Sequence, residues 1–231
     1  AYETDLVIAG TGMFTLKAEG APPDNDNIQE AWRKVFTHLT YGMGLIVTRE
    51  MRDDDLYGVV MQLAKQQGES AAYTQEVQAM AVFNDSTATQ YTAGGTNYPL
   101  LSTAHYRQDD GTWSNRLASG ADLTPESLEA GLNQWHSGMY NQRGQNIRIE
   151  PKVLVVGVND KWNAMRILNS DLRAYSADND TNVLKGMLRI ETMTQLTNDG
   201  RWFILSGKED NSLQWINRRE LSVEPDTDGT G

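Results

Sequence analysis

The sequence predicts an α+β fold, and three observations carry that prediction. Strand-like and helix-like stretches follow one another irregularly, without the strict alternation of a doubly wound sheet. A proline-free run from Leu56 to about Phe83 is long enough for one dominant helix. Residues 2 to 50 read as an extended arm that folds back on itself at a turn-rich tip.

The elements follow in order. In "YETDLVIAGTGMFTLKA", residues 2 to 18, Leu6, Ile8, Phe14 and Leu16 share one parity, as in a strand. Glycines stand between them at 10 and 12. "EGAPPDNDN", residues 19 to 27, concentrates Gly20, Pro22, Pro23, Asp24, Asn25, Asp26 and Asn27 into a turn. Residues 28 to 50 return extended, with Trp32, Val35, Phe36, Thr37, Tyr41, Ile46 and Val47. A lone hairpin is marginal in water, so an arm of this length is expected to lie on something else, such as another copy of the chain.

Asp53, Asp54 and Asp55 suit a helix start, because carboxylates meet the free N–H groups and the positive helix end. The helix then carries Leu56, Val60, Leu63, Ala64, Ala71, Val77, Met80, Ala81 and Phe83 as a rough apolar face, and Gly68 weakens its middle. Residues 84 to 98, rich in Thr, Ala, Gly and Asn, read as a loop. Thr124 followed by Pro125 marks a second helix, with Leu128, Leu132, Trp135 and Met139 at helical spacing and Gly144 at its end. "IRIEPKVLVVGV" is a strand interrupted at Pro151, "DKWNAMRILNS" a short helix, and residues 182 to 207 two strands around a turn at Asn198-Asp199-Gly200. The acidic tail "EPDTDGTG" is expected to fray.

Composition bounds the function. With 231 residues, 39% hydrophobic and 22% charged, the chain can bury a sizeable core. It holds no apolar run of membrane-spanning length and no charged segment followed by an apolar run of the secretory type. Cysteine is absent, which removes disulfides, thiolate nucleophiles and cysteine-based zinc sites. A net charge of −11 repels phosphate backbones and argues against nucleic-acid binding in general. The same charge would suit a protein that encloses nucleic acid without adhering to it.

One stretch, "LLSTAHYRQDDGTWSN", offers the residue types of a hydrolase triad in Ser102, His105 and Asp109 or Asp110. A nucleophile, its base and an orienting acid normally converge from separate elements, and no G-x-S-x-G elbow is present. The residues favour a structured loop instead. Thr103, His105 and Asp110 would satisfy backbone groups there, with Ser102 and Asn115 in the same turn. No catalytic residue is assigned.

His38, His105 and His136 are isolated, without metal-ligand spacing. Asp178, Asp180 and Asn182 imitate the first half of a calcium loop. Val183 and Arg189 occupy the glycine and glutamate positions that such a loop needs. Gly10-Thr11-Gly12 and Gly42-Met43-Gly44 lack the third glycine of a phosphate loop. No metal or cofactor is expected. The six tryptophans are scattered, as contact anchors would be.

Three stretches carry a family resemblance: "LTYGMGLIVTREMRDDDLYGVV", "PLLSTAHYRQDDGTWSNRLASGADLTPESLEAGL" and "IRIEPKVLVVGVNDKWNAMRILNS". They resemble the major capsid proteins of tailed phages, in the Mu-like major head subunit group. Four motifs stand in the group's order, at Leu101 to His105, Gly111 to Asn115, Leu123 to Leu128 and Ile149 to Val156. The resemblance covers roughly residues 39 to 220 and implies the Hong Kong ninety-seven fold.

On that pattern, residues 1–52 would be the extended loop (E-loop) with its flanking strands. Residues 53–123 would form the peripheral (P) domain with a spine helix over about 55–83. Residues 124–207 would be the axial (A) domain, and 208–231 the return to the P domain with the tail. The family's N-terminal arm would be missing, short or cleaved before Ala1.

The resemblance further implies a virion protein assembled in the host cytoplasm. It would form hexamers and pentamers around double-stranded DNA that it does not specifically bind. Portal, scaffold or decoration proteins would be partners, and membranes would not. The tip from Gly20 to Asn27 would contact a neighbouring subunit, and the Ser102–Asn115 stretch would be a shaped connection between domains. A small Ser/His hydrolase and another shell-forming protein of the same fold are the alternative readings.

Overall fold

The structure is a computed structural model of the chain. It describes all residues except 1, 9, 10, 12, 14, 15, 18, 20, 21, 23, 24, 27–29, 56, 57, 94, 95, 108, 174–179, 199, 211, 212 and 223–231. Side chains within residues 2–8, 30–36, 89–93, 96 and 97 also lie outside the description.

The arm is an antiparallel pair, β1 (Tyr2–Ile8) with β2 (Glu30–Thr37). Tyr2 stands opposite Thr37 and Val7 opposite Trp32, with an irregularity between Val7 and Ile8. The expected return strand is shorter than residues 28 to 50. From 38 to 48 the chain runs without secondary structure, and α1 (Arg49–Asp53) follows. Thr48 caps α1, its Oγ1 accepting from the Met51 N–H at 3.2 Å.

The long helix is α2 (Val59–Asn84), beginning later than the sequence suggested. The aspartate cluster divides its work. Asp53 and Asp54 close α1. The Asp55 carboxylate accepts from the N–H groups of Val59 and Val60, at 2.7 and 3.1 Å. Only Phe83 of α2 is buried; Val60 and Leu63 are half-buried, and Ala64 and Val77 are exposed. The stretch expected as a loop holds a hairpin instead, β3 (Thr89–Ala93) with β4 (Thr96–Pro99). Its many Thr residues favour strand once a partner is in register.

The centre of the described fold is a three-stranded sheet in the order β8-β7-β9 (Arg189–Met193, Pro151–Gly157, Trp202–Ser206). β7 pairs parallel with β8 and antiparallel with β9. The last two strands therefore flank β7 rather than pairing with each other across the turn at 198–200. β7 is covered on both faces, which explains its unbroken Val-Leu-Val-Val run. Leu154 and Val156 pack against α3 (Pro125–Gly138) and α4 (Lys161–Asn169), with Leu128, Leu132, Ala164, Ile167 and Leu168. Val153 and Val155 face the other way, with Phe203, Leu196 and the end of α2 at Met80 and Phe83. Phe83 and Phe203 meet edge to face, centroids 5.2 Å apart.

Asn84 locks this second face. Its Nδ2 donates to the Gln195 carbonyl at 2.9 Å and its Oδ1 accepts from the Thr197 N–H at 3.0 Å. Its carbonyl accepts from Arg201 at 2.6 Å. α3 starts at the predicted residue, with Thr124 and Ser127 exchanging side-chain and backbone hydrogen bonds. It ends at Gly138, earlier than expected. Gly131 allows α3 to sit on β9, because a Cβ there would come within 3.1 Å of the Trp202 ring.

Candidate functional site

The stretch that suggested chemistry is a hydrogen-bonded knot. β5 (His105–Tyr106) pairs with β6 (Thr112–Trp113) around a tight turn. Asn115, just past β6, ties the base together. Its Oδ1 accepts from the Ser102 N–H at 2.9 Å and lies 3.0 Å from His105 Nε2. Its Nδ2 donates to the Leu100 carbonyl at 2.8 Å, and its N–H donates to the Ser102 carbonyl at 3.2 Å.

His105 is buried, 4% exposed, and stacked on Trp113 with centroids 4.7 Å apart. Burial holds its pKa below the ordinary histidine value, against the opposing effect of the bonds to Asn115 and to the Leu100 backbone. The imidazole is thereby kept neutral near pH 7, as a wedge between strands.

The turn tip has its own partners. The Tyr106 hydroxyl donates to Asp110 at 2.6 Å, which raises the phenol's pKa. Asp110 takes a positive φ of 62°, a conformation that Asp tolerates better than most residues. The Asp109 carboxylate accepts from Arg107 Nε at 2.9 Å and from the Gly111 N–H at 3.1 Å. Arg107 also lies over the Tyr140 ring, 5.0 Å from its centroid.

Ser102 Oγ accepts from the Ala104 N–H at 3.1 Å and makes no hydrogen bond to His105. Ser102 and His105 meet only through Asn115, while Asp109 is held by Arg107 and Asp110 by Tyr106, so no nucleophile–base–acid relay forms among the described residues. The backbone-satisfying roles expected of Thr103 and Asp110 fall instead to Asn115 and Asp109. Thr103 is exposed, and Asp110 holds a side chain.

The knot is docked to α3 and to the turn that follows it. Gln134 Nε2 donates to Ser114 Oγ at 3.0 Å and to the Arg116 carbonyl at 2.7 Å. The turn after α3 approaches Asp109 closely: a Cβ on Gly144, at φ +76°, would lie 2.4 Å from Asp109 Oδ2. The positive φ favours glycine there, and a larger residue would also displace the Asp109 carboxylate. Sequence reasoning missed Gln134 and gave Gly144 the wrong task. An interior glutamine and a glycine past a helix end carry no pattern that names a distant partner.

The arm tip is described only at Pro22, Asn25 and Asp26, all exposed. Gly20, Pro23, Asp24 and Asn27 lie outside the described residues. Asp26 pairs with Arg143 of the same chain at 3.3 Å, in the turn after α3.

Of the calcium-like segment, Asp178 also lies outside the description. Asn182 is buried and does structural work. Its Nδ2 donates to the carbonyls of Ile167 and Ser170 at 2.6 and 2.9 Å, capping α4, and its Oδ1 accepts from the Leu184 N–H at 3.1 Å. Among the described residues no group of three His, Asp or Glu side chains is placed to hold a metal ion. No helix among them is long and apolar enough to cross a membrane.

The other notable surface is apolar. Leu39, Tyr41, Met43, Leu45 and Ile46 are all exposed, and Ile46 is 87% accessible. They form one run between β2 and α1. The model of a family described as phage capsid protein matches residues 32–231. No curated protein and no solved structure matches the chain.

Proposed function

The chain belongs to the phage capsid protein family, structural proteins of the virion, and on that premise we propose that it builds a tailed-phage head of the Hong Kong ninety-seven type, in the Mu-like group. The single observation that carries the capsid role is the family match over residues 32–231; the finer assignment is supported by the four ordered motifs at Leu101 to His105, Gly111 to Asn115, Leu123 to Leu128 and Ile149 to Val156. Subunits would close into hexamers and pentamers through heterologous contacts, the kind that generate rings. The icosahedral shell would enclose double-stranded DNA. At a net charge of −11 the wall would not bind that DNA tightly. Assembly would take place in the host cytoplasm, with portal, scaffold or decoration proteins as further partners.

The domain division follows the same reading. Residues 1–52 are the E-loop, 53–123 the P domain with α2 as spine, 124–207 the A domain and 208–231 the return and tail. A mixed helix and sheet content is compatible with it. So is a 26-residue helix that buries only its last turn in its own subunit. The Ser102–Asn115 knot is then a rigid connection ahead of α3, with no bond-making role. No observation favours a hydrolase: His105 is engaged by Asn115, and Ser102 by the backbone.

Electron microscopy of the purified protein tests the proposal. Closed shells of uniform diameter are expected. A species that remains at 25.8 kDa in light scattering at every concentration would overturn it.

A further inference from the structure

We infer that the outer face of α4 is the docking site of the chain's own acidic tail, with Pro225 seated on Trp162 and the flanking carboxylates on Lys161 and Arg166. The inference goes beyond the capsid reading and does not depend on it. Three observations carry it.

The first is the face itself. α4 buries Ala164, Ile167 and Leu168 in the core. The opposite stripe holds Trp162, Met165, Arg166 and Asn169, at i, i+3, i+4 and i+7. Tryptophan is highly buried on average, yet Trp162 is 66% exposed, more than any other described tryptophan. With Ser170 the four residues line a groove of about 510 Å³. That size suits a short peptide segment or a small ligand.

The second is charge. Acids outnumber bases by 31 to 20 in the chain, yet α4 carries two bases and no acid. Lys161 lies over the Trp162 ring, 5.4 Å from its centroid, and Arg166 stands one turn beyond Trp162. Neither pairs with a carboxylate among the described residues. An exposed indole between two such cations calls for an apolar group between two anions.

The third is the tail. Residues 220–231, "ELSVEPDTDGTG", hold four carboxylates and no base, and Pro225 lies between Glu224 and Asp226. Proline favours the polyproline conformation, which would set residues 224 and 226 about 6 Å apart along the chain. Lys161 and Arg166 are about 7.5 Å apart along the helix axis. Aromatic-lined grooves bind proline in this conformation. Reach is sufficient: Glu209 is tied to Lys152 at the start of β7, and α4 packs on that strand. From there residues 210–223 can span about 45 Å. Tethering holds the tail at an effective concentration in the millimolar range, enough for contacts that are individually weak. Double-stranded DNA fits the groove less well, because its stacked bases would leave the indole uncovered.

Hydroxyl-radical footprinting of the dissociated subunit, read by peptide mass spectrometry, tests the docking. Ending the chain at Ser222 should raise the oxidation rate of Trp162 by about threefold or more, with Trp113 in the knot as the internal reference. Glu224→Lys/Asp226→Lys keeps the chain length and should do the same. Adding Lys161→Glu/Arg166→Glu to that variant should restore protection, because the pairs re-form with their signs exchanged. Raising sodium chloride to about 0.5 M should expose Trp162 in the wild type.

Equal oxidation of Trp162 in the full and the shortened chain overturns the docking. A rise on truncation with none on charge reversal overturns the role of the carboxylates. Protection that fades on dilution would mean that a neighbouring copy supplies the tail, and overturns docking within the subunit. If a charge variant misfolds, truncation and the salt response decide. None of these readings requires shells, so failure of assembly and failure of tail docking are told apart.

Discussion

The β8-β7-β9 sheet and the front of the chain follow opposite economies. Around the sheet, apolar residues are matched within one subunit. Leu154, Val155 and Val156 are at most 1% exposed, and both faces of β7 are covered. Between β2 and α1, residues of equal hydrophobicity stay in water: Leu39 is 72% exposed and Met43 68%. The difference lies in partners, not in residue type. The sheet is completed by helices encoded in the same chain, whereas among the described residues 39–47 are tied to α2 by one hydrogen bond, from Gln67 to the Met43 carbonyl. Apolar surface left in that state is the mark of an interface.

The comparison can be broken or sharpened by substitution, and the largest effect belongs to the sheet. Leu154→Ala should cost the isolated subunit about 2–5 kcal/mol, read by chemical denaturation, because the cavity opens where both helices converge. A loss below that range would mean that the sheet is not the subunit's core.

Next comes the knot. Asn115→Ala removes three side-chain contacts and strands the Ser102 N–H. A loss of about 1–3 kcal/mol is expected, without any change in hydrolytic turnover. A wild-type esterase or peptidase activity that vanished in His105→Ala would return the knot to chemistry.

The long helix separates from the sheet in the same way. Leu63 is only half-buried, so Leu63→Asp should cost the subunit about 1 kcal/mol. An apolar face buried within the subunit would instead make it collapse. A mild effect on folding with a severe effect on assembly would place that face between copies.

Acid should act through His105. Its folded pKa lies below the ordinary value of 6.5, so the unfolded chain takes up the proton first. This contribution to stability is intact above pH 6.5 and declines as pH falls from there toward the folded pKa. Melting midpoints from pH 7.5 down to pH 5 should therefore fall for wild type. They should fall less for His105→Gln, and equal slopes would remove His105 as the cause.

The smallest effect on the subunit is expected at the arm tip. Replacing residues 21–27 by an Asn-Gly turn removes one described ion pair, Asp26 with Arg143, which is half-exposed and worth about 0–1 kcal/mol. The subunit should melt almost unchanged while shells fail or become fragile. Normal, equally stable shells would show that the tip is not a clamp between subunits.

The sequence alone determined the elements whose signals are local. Thr124-Pro125 set the start of α3 through a cap that needs only neighbouring residues. The Val-Leu-Val-Val run made β7 a strand, and the proline-free stretch made α2 a helix. The order and spacing of four short motifs pointed to the capsid family that the match over residues 32–231 shows.

Tertiary structure decided what depends on distant partners. Residues 89–99 pair as a hairpin although their composition reads as loop. β8 and β9 flank β7 because that strand offers two open edges, whereas the turn between them offers proximity alone. Asn182, which in sequence only imitates a calcium-loop position, closes the end of α4 from within the core. Ser102, His105 and the aspartates were adjacent in sequence, yet Asn115 and Arg107 claimed them separately. Hydrogen-bond direction and burial select among the partners that a short stretch can reach, and neither is written in the order of its residues.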